Sequence, residues 1–298
     1  MNRLPIIAFV SLGVIWGNNF IYMKMASQYV SPLQVVFLRV LFGFIPVAIY
    51  SVFTKSLKLS HVKHIFHFFV MSILATVLYY FGFVKGSSLL PSGIAGALSG
   101  AIPIFAFVLA VLFLPEEKAS KAKIIGIVIG FIGVILIAKP FDSKLFEANS
   151  KGIIYMVLGS LSVGASFIYA KKYILPLGIK ASALTTYQLG LGLIVLLFIT
   201  DFTNVNNIYE NLHVALGVVI GLGLLGTGLA YIIYYYIIEK MGAVVASSVT
   251  YIPPIVALLI GVFIVDEKIK FSDYMATLLI FVGVYLINNK PISKIKVK

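Results

Sequence analysis

Apolar stretches of about twenty residues recur along the chain, separated by short polar joints. That is the pattern of a polypeptide crossing a bilayer repeatedly as helices. Cutting at the joints predicts ten spans: 4–23, 32–53, 64–84, 89–113, 123–138, 152–173, 180–200, 212–236, 243–265 and 272–288. The spans at 123–138 and 272–288 are short for a crossing, so their flanks must contribute. A membrane β-barrel would alternate apolar and polar positions, whereas stretches such as 104–114 are apolar on every side. The first span resembles a secretory signal, but it lacks a small-residue cleavage pattern and carries Asn18 and Asn19, so it is read as retained.

Composition sharpens this reading. The 298 residues are 61% hydrophobic and 11% charged, with no cysteine and a mean hydropathy of +1.07. A soluble domain of this length has no interior large enough for that much apolar surface. Without cysteine, disulfides and thiolate metal sites are excluded. The net charge of +13 is read as loop charge rather than as a nucleic-acid footprint. With both termini inside, the inner segments hold fifteen basic residues: Arg3, Lys55, Lys58, Lys63, Lys118, Lys121, Lys123, Lys171, Lys172, Lys180, Lys240, Lys290, Lys294, Lys296 and Lys298. The outer loops hold seven: Lys24, Lys85, Lys139, Lys144, Lys151, Lys268 and Lys270. The expectation is a plasma (inner) membrane protein with cytoplasmic termini. No loop has room for a nucleotide-binding domain and no phosphate loop is present, so neither ATP-driven pumping nor a cofactor is expected.

The chain also repeats itself. Ile102-Pro103 and Glu117-Lys118 recur at Ile252-Pro253 and Glu267-Lys268, and Gly133-Val134 recurs at Gly283-Val284, all at an offset of 150. Gly17, Phe20, Tyr22 and Lys24 recur at Gly164, Phe167, Tyr169 and Lys171, at an offset of 147. Residues 1–140 and 150–290 thus read as two five-helix repeats, followed by a basic tail at 291–298. An odd number of spans makes the second copy enter the membrane from the opposite side. Inverted repeats of this kind characterise secondary transporters, with the substrate site near the midplane between the halves.

Three features, taken in order, carry a family resemblance. They are Trp16-Gly17-Asn18-Asn19-Phe20, the Pro32-to-Arg39 stretch, and Pro-containing fourth and ninth spans that end in an acidic residue before Gly-rich fifth and tenth spans. Together they resemble the drug/metabolite transporter superfamily, in particular its ten-helix EamA-type permeases, over essentially the whole chain. The resemblance implies a secondary carrier, commonly an exporter of amino acids or related metabolites. It also implies a cavity lined by the first, third, fourth, sixth, eighth and ninth helices.

The ten acidic residues fall in loops or at span ends, so the buried glutamate of proton-exchanging cation pumps in that superfamily has no counterpart. Arg39 is the one basic residue well inside a span, about seven residues or roughly 10 Å from its outer start. It either attracts a substrate carboxylate or phosphate, or bonds helix carbonyls and holds the halves together. Asn18 and Asn19 lie at similar depth and either bond Arg39 or substrate, or join helices. Their repeat counterparts are Ala165 and Ser166, and Gln188 is the neutral residue placed like Arg39, so the site is expected to be asymmetric. Trp16 is a wall or gate of the cavity, or core packing. Tyr79, Tyr80, Tyr231 and Tyr235 supply hydroxyls on aromatic walls, or in part an interfacial belt. Pro103, Pro253 and Pro254 break helices where a site would expose backbone, with Ser99, Thr250 and Tyr251 beside the breaks. Gly96-Gly100, Gly126-Gly130 and Gly217-Gly221 are close-packing pairs. His61, His64 and His67 are too few for a metal site, and none is expected.

The expected fold is therefore an all-α membrane protein of ten helices in two inverted repeats. The expected function is alternating-access transport, in the export direction, of a small organic metabolite by a monomer or weak dimer. An enzyme is not expected, because no paired carboxylates or His–acid set lies at membrane depth. The competing reading is a lipid scramblase or an accessory membrane subunit without solute flux.

Overall fold

In a computed structural model, the protein is described at residues 4–114, 120–137, 143–242, 246 and 248–288, and these are helical with no strand among them. In chain order the helices are α1 (Leu4–Ala26), α2 (Pro32–Phe53), α3 (Leu59–Leu89), α4 (Ser92–Phe113), α5 (Lys121–Ile137), α6 (Ser143–Tyr169), α7 (Ala181–Ile199), α8 (Leu212–Met241), α9 (Val249–Phe263) and α10 (Phe271–Asn288). Seven of the described helices are long and apolar enough to cross a membrane, and α9 and α10 are shorter apolar helices. Large apolar side chains such as Leu112, Phe198, Phe263 and Tyr285 stand exposed on the outside of the bundle. That surface is stable only against lipid.

Several helices overrun the apolar stretches that predicted them, while α4, α7 and α9 fall short of theirs, and the ends follow backbone chemistry instead. α3 continues past residue 84 to Leu89, just ahead of Pro91. α8 continues past 236 to Met241, where Gly242 takes a φ of 81° that a side-chain-bearing residue rarely adopts. α6 begins at Ser143 rather than 152. α2 starts with a reciprocal cap: Gln34 N–H donates to Ser31 Oγ, and Ser31 N–H donates to Gln34 Oε1, with Pro32 in the first turn. The Gln34 amide then donates to the Asp201 and Thr203 carbonyls at 2.7 and 2.8 Å, tying α2 to the joint after α7.

Proline sets the interruptions. α4 tightens at Gly100 and Ala101, whose N–H groups donate three residues back, and restarts with Pro103 in its first turn. α9 opens with a 3₁₀ turn, Ser248–Tyr251, before Pro253 and Pro254. A proline has no N–H to donate and crowds the preceding turn, so the helix is re-initiated there. Two helices also contain π segments, Ile73–Val77 in α3 and Gly217–Leu229 in α8, and a third, Ala170–Ile174, follows α6.

α5 packs along α10, and the other helices form the core. α1 lies on α9, α6 on α4, α2 on α8 and α7 on α3. Several close approaches come in reciprocal pairs. Gly133 faces Ala276 and Ile280, while Gly283 faces Gly126 and Gly130. Gly17 faces Pro253 and Val256, and Gly164 faces Ile102 and Ala106. Gly43 faces Thr227, and Gly192 faces Thr76. In each pair the two glycines are about 150 residues apart in the chain.

At one end of the bundle Glu267 ties three helices together. Its carboxylate accepts from Lys24 Nζ at 2.7 Å, from Ser92 N–H and Oγ at 2.8 Å, and from Gly93 N–H at 3.0 Å. Asp266, at φ 53°, turns the chain so that Glu267 meets the start of α4. Partial burial opposes ionisation, but the hydrogen bonds from Gly93, Lys24 and Ser92 outweigh it and hold the carboxyl below the usual carboxylate range. Glu267→Gln removes the charge and one acceptor site while keeping the shape. The expected result is a loss of about 1–2 kcal/mol, read as a lower Tm in detergent; a Tm unchanged from wild type would show that the tie contributes nothing.

Candidate functional site

A closed cavity lies between α1, α2, α3, α4 and α9, lined by Trp16, Asn19, Phe20, Met23, Arg39, Tyr79, Phe83, Ser99, Ile102, Thr250 and Pro253. Its free volume is about 10 Å³, room for about one water. An organic ligand does not fit in that space without side-chain or helix movement.

Arg39 is 1% exposed and has only neutral partners among the described residues. Nε donates to Thr227 Oγ1 at 3.1 Å, Nη2 points at Gly226 O at 3.4 Å, and Nη1 lies 3.4 Å from Met23 Sδ. With its amide oxygen turned to the guanidinium, Asn19 accepts from Nη2 at 3.3 Å and donates to Ile15 O at 3.2 Å. The guanidinium carbon sits 3.6 Å from the Tyr80 ring centroid. Stacking of this kind contributes about 2 kcal/mol when desolvated, less than the cost of burying the charge at membrane depth. The ion pairs Lys24–Glu267 and Lys240–Glu239 lie at helix ends and involve other cations. Trp16 is also buried, and its Nε1–H has no hydrogen-bond partner.

Beyond Tyr80 the polar lining continues as a second cluster. Tyr231 approaches Tyr80 with ring centroids 6.3 Å apart, and its hydroxyl donates to Ala75 O in the α3 π segment. Tyr234 packs on Trp16, Phe167 and Tyr231, and its hydroxyl shares a 3.3 Å bond with Ser166 Oγ. Gln188 donates to Thr76 Oγ1 at 2.9 Å and accepts from Tyr235 Oη at 2.5 Å. The two clusters correspond. Arg39 of α2 meets Thr227 in the π segment of α8, and Gln188 of α7 meets Thr76 in that of α3. A π turn leaves carbonyls without their usual helical donor, and Ala75 O and Leu222 O accept from Tyr231 and Thr227 in just that way.

Of the residues singled out in the sequence, Trp16, Asn19, Arg39, Tyr79, Ser99, Thr250 and Pro253 line the cavity, and Tyr80 stacks on Arg39. Ser166, Gln188, Tyr231 and Tyr235 form the adjoining cluster. Asn18 is elsewhere. It donates to Val14 O at 2.8 Å and lies in an outer groove between α1 and α8, because adjacent residues on a helix face about 100° apart. Tyr251 is half-buried, and Pro103 and Pro254 are buried beside the breaks without lining the cavity. Met23, Thr76 and Thr227 are partners that the sequence reading missed. Thr76 and Thr227 lie 151 residues apart, off both repeat offsets of 147 and 150, so matching the repeats does not pair them. His61 and His67 bond the hydroxyls of Tyr187 and Tyr169. Glu116, Glu117, Asp142 and the tail at 291–298 lie outside the described residues.

Gln188→Leu keeps the volume but strands the Tyr235 hydroxyl and Thr76 Oγ1. The expected cost is about 0.6–2 kcal/mol per lost bond, read as a lowered Tm relative to wild type; an unchanged Tm would show that the pair is not held by these bonds.

The model of the EamA-like transporter family matches residues 3–139 and again 150–289. An uncharacterized transporter of Archaeoglobus fulgidus is 25% identical over 92% of this chain and 95% of its own. The uncharacterized transporter YoaV of Bacillus subtilis is 25% identical over 98% of both chains. The uncharacterized inner membrane transporter YedA of Escherichia coli is 25% identical over 96% of this chain and 93% of its own. A crystal structure aligns at a TM-score of 0.59 and 14% identity over 97% of this chain and 98% of that one, a likeness of fold.

Proposed function

The chain belongs to the EamA-like transporter family, and from that premise we propose that it is a secondary transporter moving small organic metabolites by alternating access, with amino acids or their derivatives favoured and export the direction. It is an integral membrane protein whose relatives are named transporters. The observation that carries the substrate reading is the buried, uncompensated guanidinium of Arg39 in a closed polar and aromatic cavity. A charge held there at a cost, with no carboxylate opposite among the described residues, suits a ligand that brings its own negative group.

The proposed architecture is ten spans in two inverted five-helix repeats, 1–140 and 150–290, with both termini and the tail at 291–298 in the cytoplasm of a plasma (inner) membrane protein. The reciprocal glycine contacts and the paired Arg39–Thr227 and Gln188–Thr76 bonds support it, since a two-fold relation between halves produces such exchanges. The chain acts as a monomer or weak dimer and catalyses no covalent chemistry.

Purified protein in liposomes loaded with labelled amino acids and their derivatives is expected to show saturable efflux, absent from protein-free liposomes. Lack of saturable flux across the panel, together with accelerated lipid exchange between leaflets, would return the scramblase reading in its place.

A further inference from the structure

The charge inventory of the cavity narrows the substrate beyond the function proposed above, on which this step rests. Its walls hold one full positive charge, Arg39, and no acidic side chain among the described residues. Two lining residues carry donors without strong acceptors: the guanidinium of Arg39, with its neutral partners, and the indole N–H of Trp16, which has no partner. The acceptors that the lining offers a substrate ammonium are all neutral, the hydroxyls of Tyr79, Ser99 and Thr250 and the amide of Asn19. The Asn19 amide oxygen is turned to Arg39, and Ser99 Oγ, which donates to Gly96 O at 2.6 Å, offers a neutral lone pair and no counter-charge. The other lining side chains include Phe20, Met23, Phe83 and Ile102, which offer only apolar surface or a ring face. A zwitterion would place its ammonium beside the guanidinium with no counter-charge, whereas a monoanion cancels the one charge present.

We propose that the substrate is a net-anionic organic acid with an apolar body, such as an amino acid whose amine is acylated or absent, and that the membrane potential itself drives its export. The loaded site is then neutral and the empty site carries +1. The loaded site therefore crosses without net charge, while an inside-negative potential draws the unloaded positive site back inward, so the field acts on the return step and each cycle carries one negative charge outward. A coupling ion is unnecessary, which accounts for a central site with no ionisable carboxylate among the described residues.

The test uses matched series on alanine, leucine and phenylalanine bodies: the free amino acid, its N-acetyl acid and its amide. Each is loaded into proteoliposomes containing the wild-type protein. The expected result is saturable efflux of at least one N-acetyl acid, at least tenfold faster than that of its amino acid, with the amide slowest. An inside-negative potassium diffusion potential set with valinomycin should accelerate that efflux, and an inside-positive one should slow it. Arg39→Gln should bring the N-acetyl acid and the amino acid to near parity, while Arg39→Lys, which keeps the charge, should retain the preference at reduced rate. Efflux of a free amino acid equal to or faster than its N-acetyl acid overturns the inference and leaves the transport reading intact. Efflux of the acid indifferent to potential does the same. Absence of saturable flux in all three series overturns both.

Discussion

Arg39→Ala is expected to reduce saturable flux at least tenfold while leaving the protein folded in the membrane. The guanidinium is the one positive charge lining the closed cavity, and its direct partners, Thr227, Gly226, Met23 and Asn19, are neutral. A lost ligand charge contact of this kind removes more than one factor of ten in binding, since charge-assisted hydrogen bonds contribute about 1.5–3 kcal/mol each. Stability should respond differently. Removing a charge at membrane depth relieves a cost of a few kcal/mol, which offsets the lost stacking on Tyr80 and the cavity left behind. The Tm is therefore expected to move by no more than a few degrees while the flux collapses. Arg39→Lys should fall between the two, because an ammonium cannot lie flat on the Tyr80 ring or reach several acceptors at once. Flux persisting at the wild-type rate in a stable Arg39→Ala protein would reduce this residue to a strut between α2 and α8.

Gly283→Val is expected to have the opposite profile, a large loss of stability with no direct contact to the site. A Cβ at Gly283 would press on the Gly126 carbonyl and lie 2.8 Å from Gly130 Cα. Those are backbone atoms of α5, so no rotamer change relieves the overlap and α10 must move away along its length. Overpacking costs about 1–3 kcal/mol even where side chains can adjust, and more is expected here. The measurable outcome is a Tm several degrees lower and a reduced yield of monodisperse protein. Gly133→Val is the reciprocal change, since its Cβ would meet Ala276 O and Ile280, and the two losses should be of similar size. A normal Tm for both would mean that α5 and α10 are not held at this spacing.

Several elements are legible in the sequence alone. Helix existence followed from the apolar runs, because a backbone in lipid must satisfy its own hydrogen bonds and a helix does so within one segment. The breaks in α4 and α9 followed from Pro103, Pro253 and Pro254, since a ring nitrogen donates nothing wherever it sits. Arg39 stood out because a charge inside an apolar run is costly enough to require a reason. The helix ends were less legible. Hydropathy marks where lipid stops, whereas Pro91, Gly242 and the Ser31–Gln34 cap mark where the backbone turns.

Pairings across space depended on the fold. Asn18 and Asn19 are identical in type and adjacent, yet one lies in an outer groove and the other at the cavity. Helix rotation separates them, and rotation is set by how Gly13 and Gly17 seat α1 on Ile252, Pro253 and Val256 of α9. Thr76 and Thr227 look like ordinary residues in apolar spans, and their roles appear only where π turns free neighbouring carbonyls and bring the hydroxyls to Gln188 and Arg39. Local chemistry, written residue by residue, dictated that this chain is a bundle of membrane helices with one anomalous buried charge. Which neutral groups surround that charge, and that no acidic group among the described residues does, was settled by the packing of helices far apart in the chain. Side-chain solvation is local, but charge neutralisation is a property of neighbours in space.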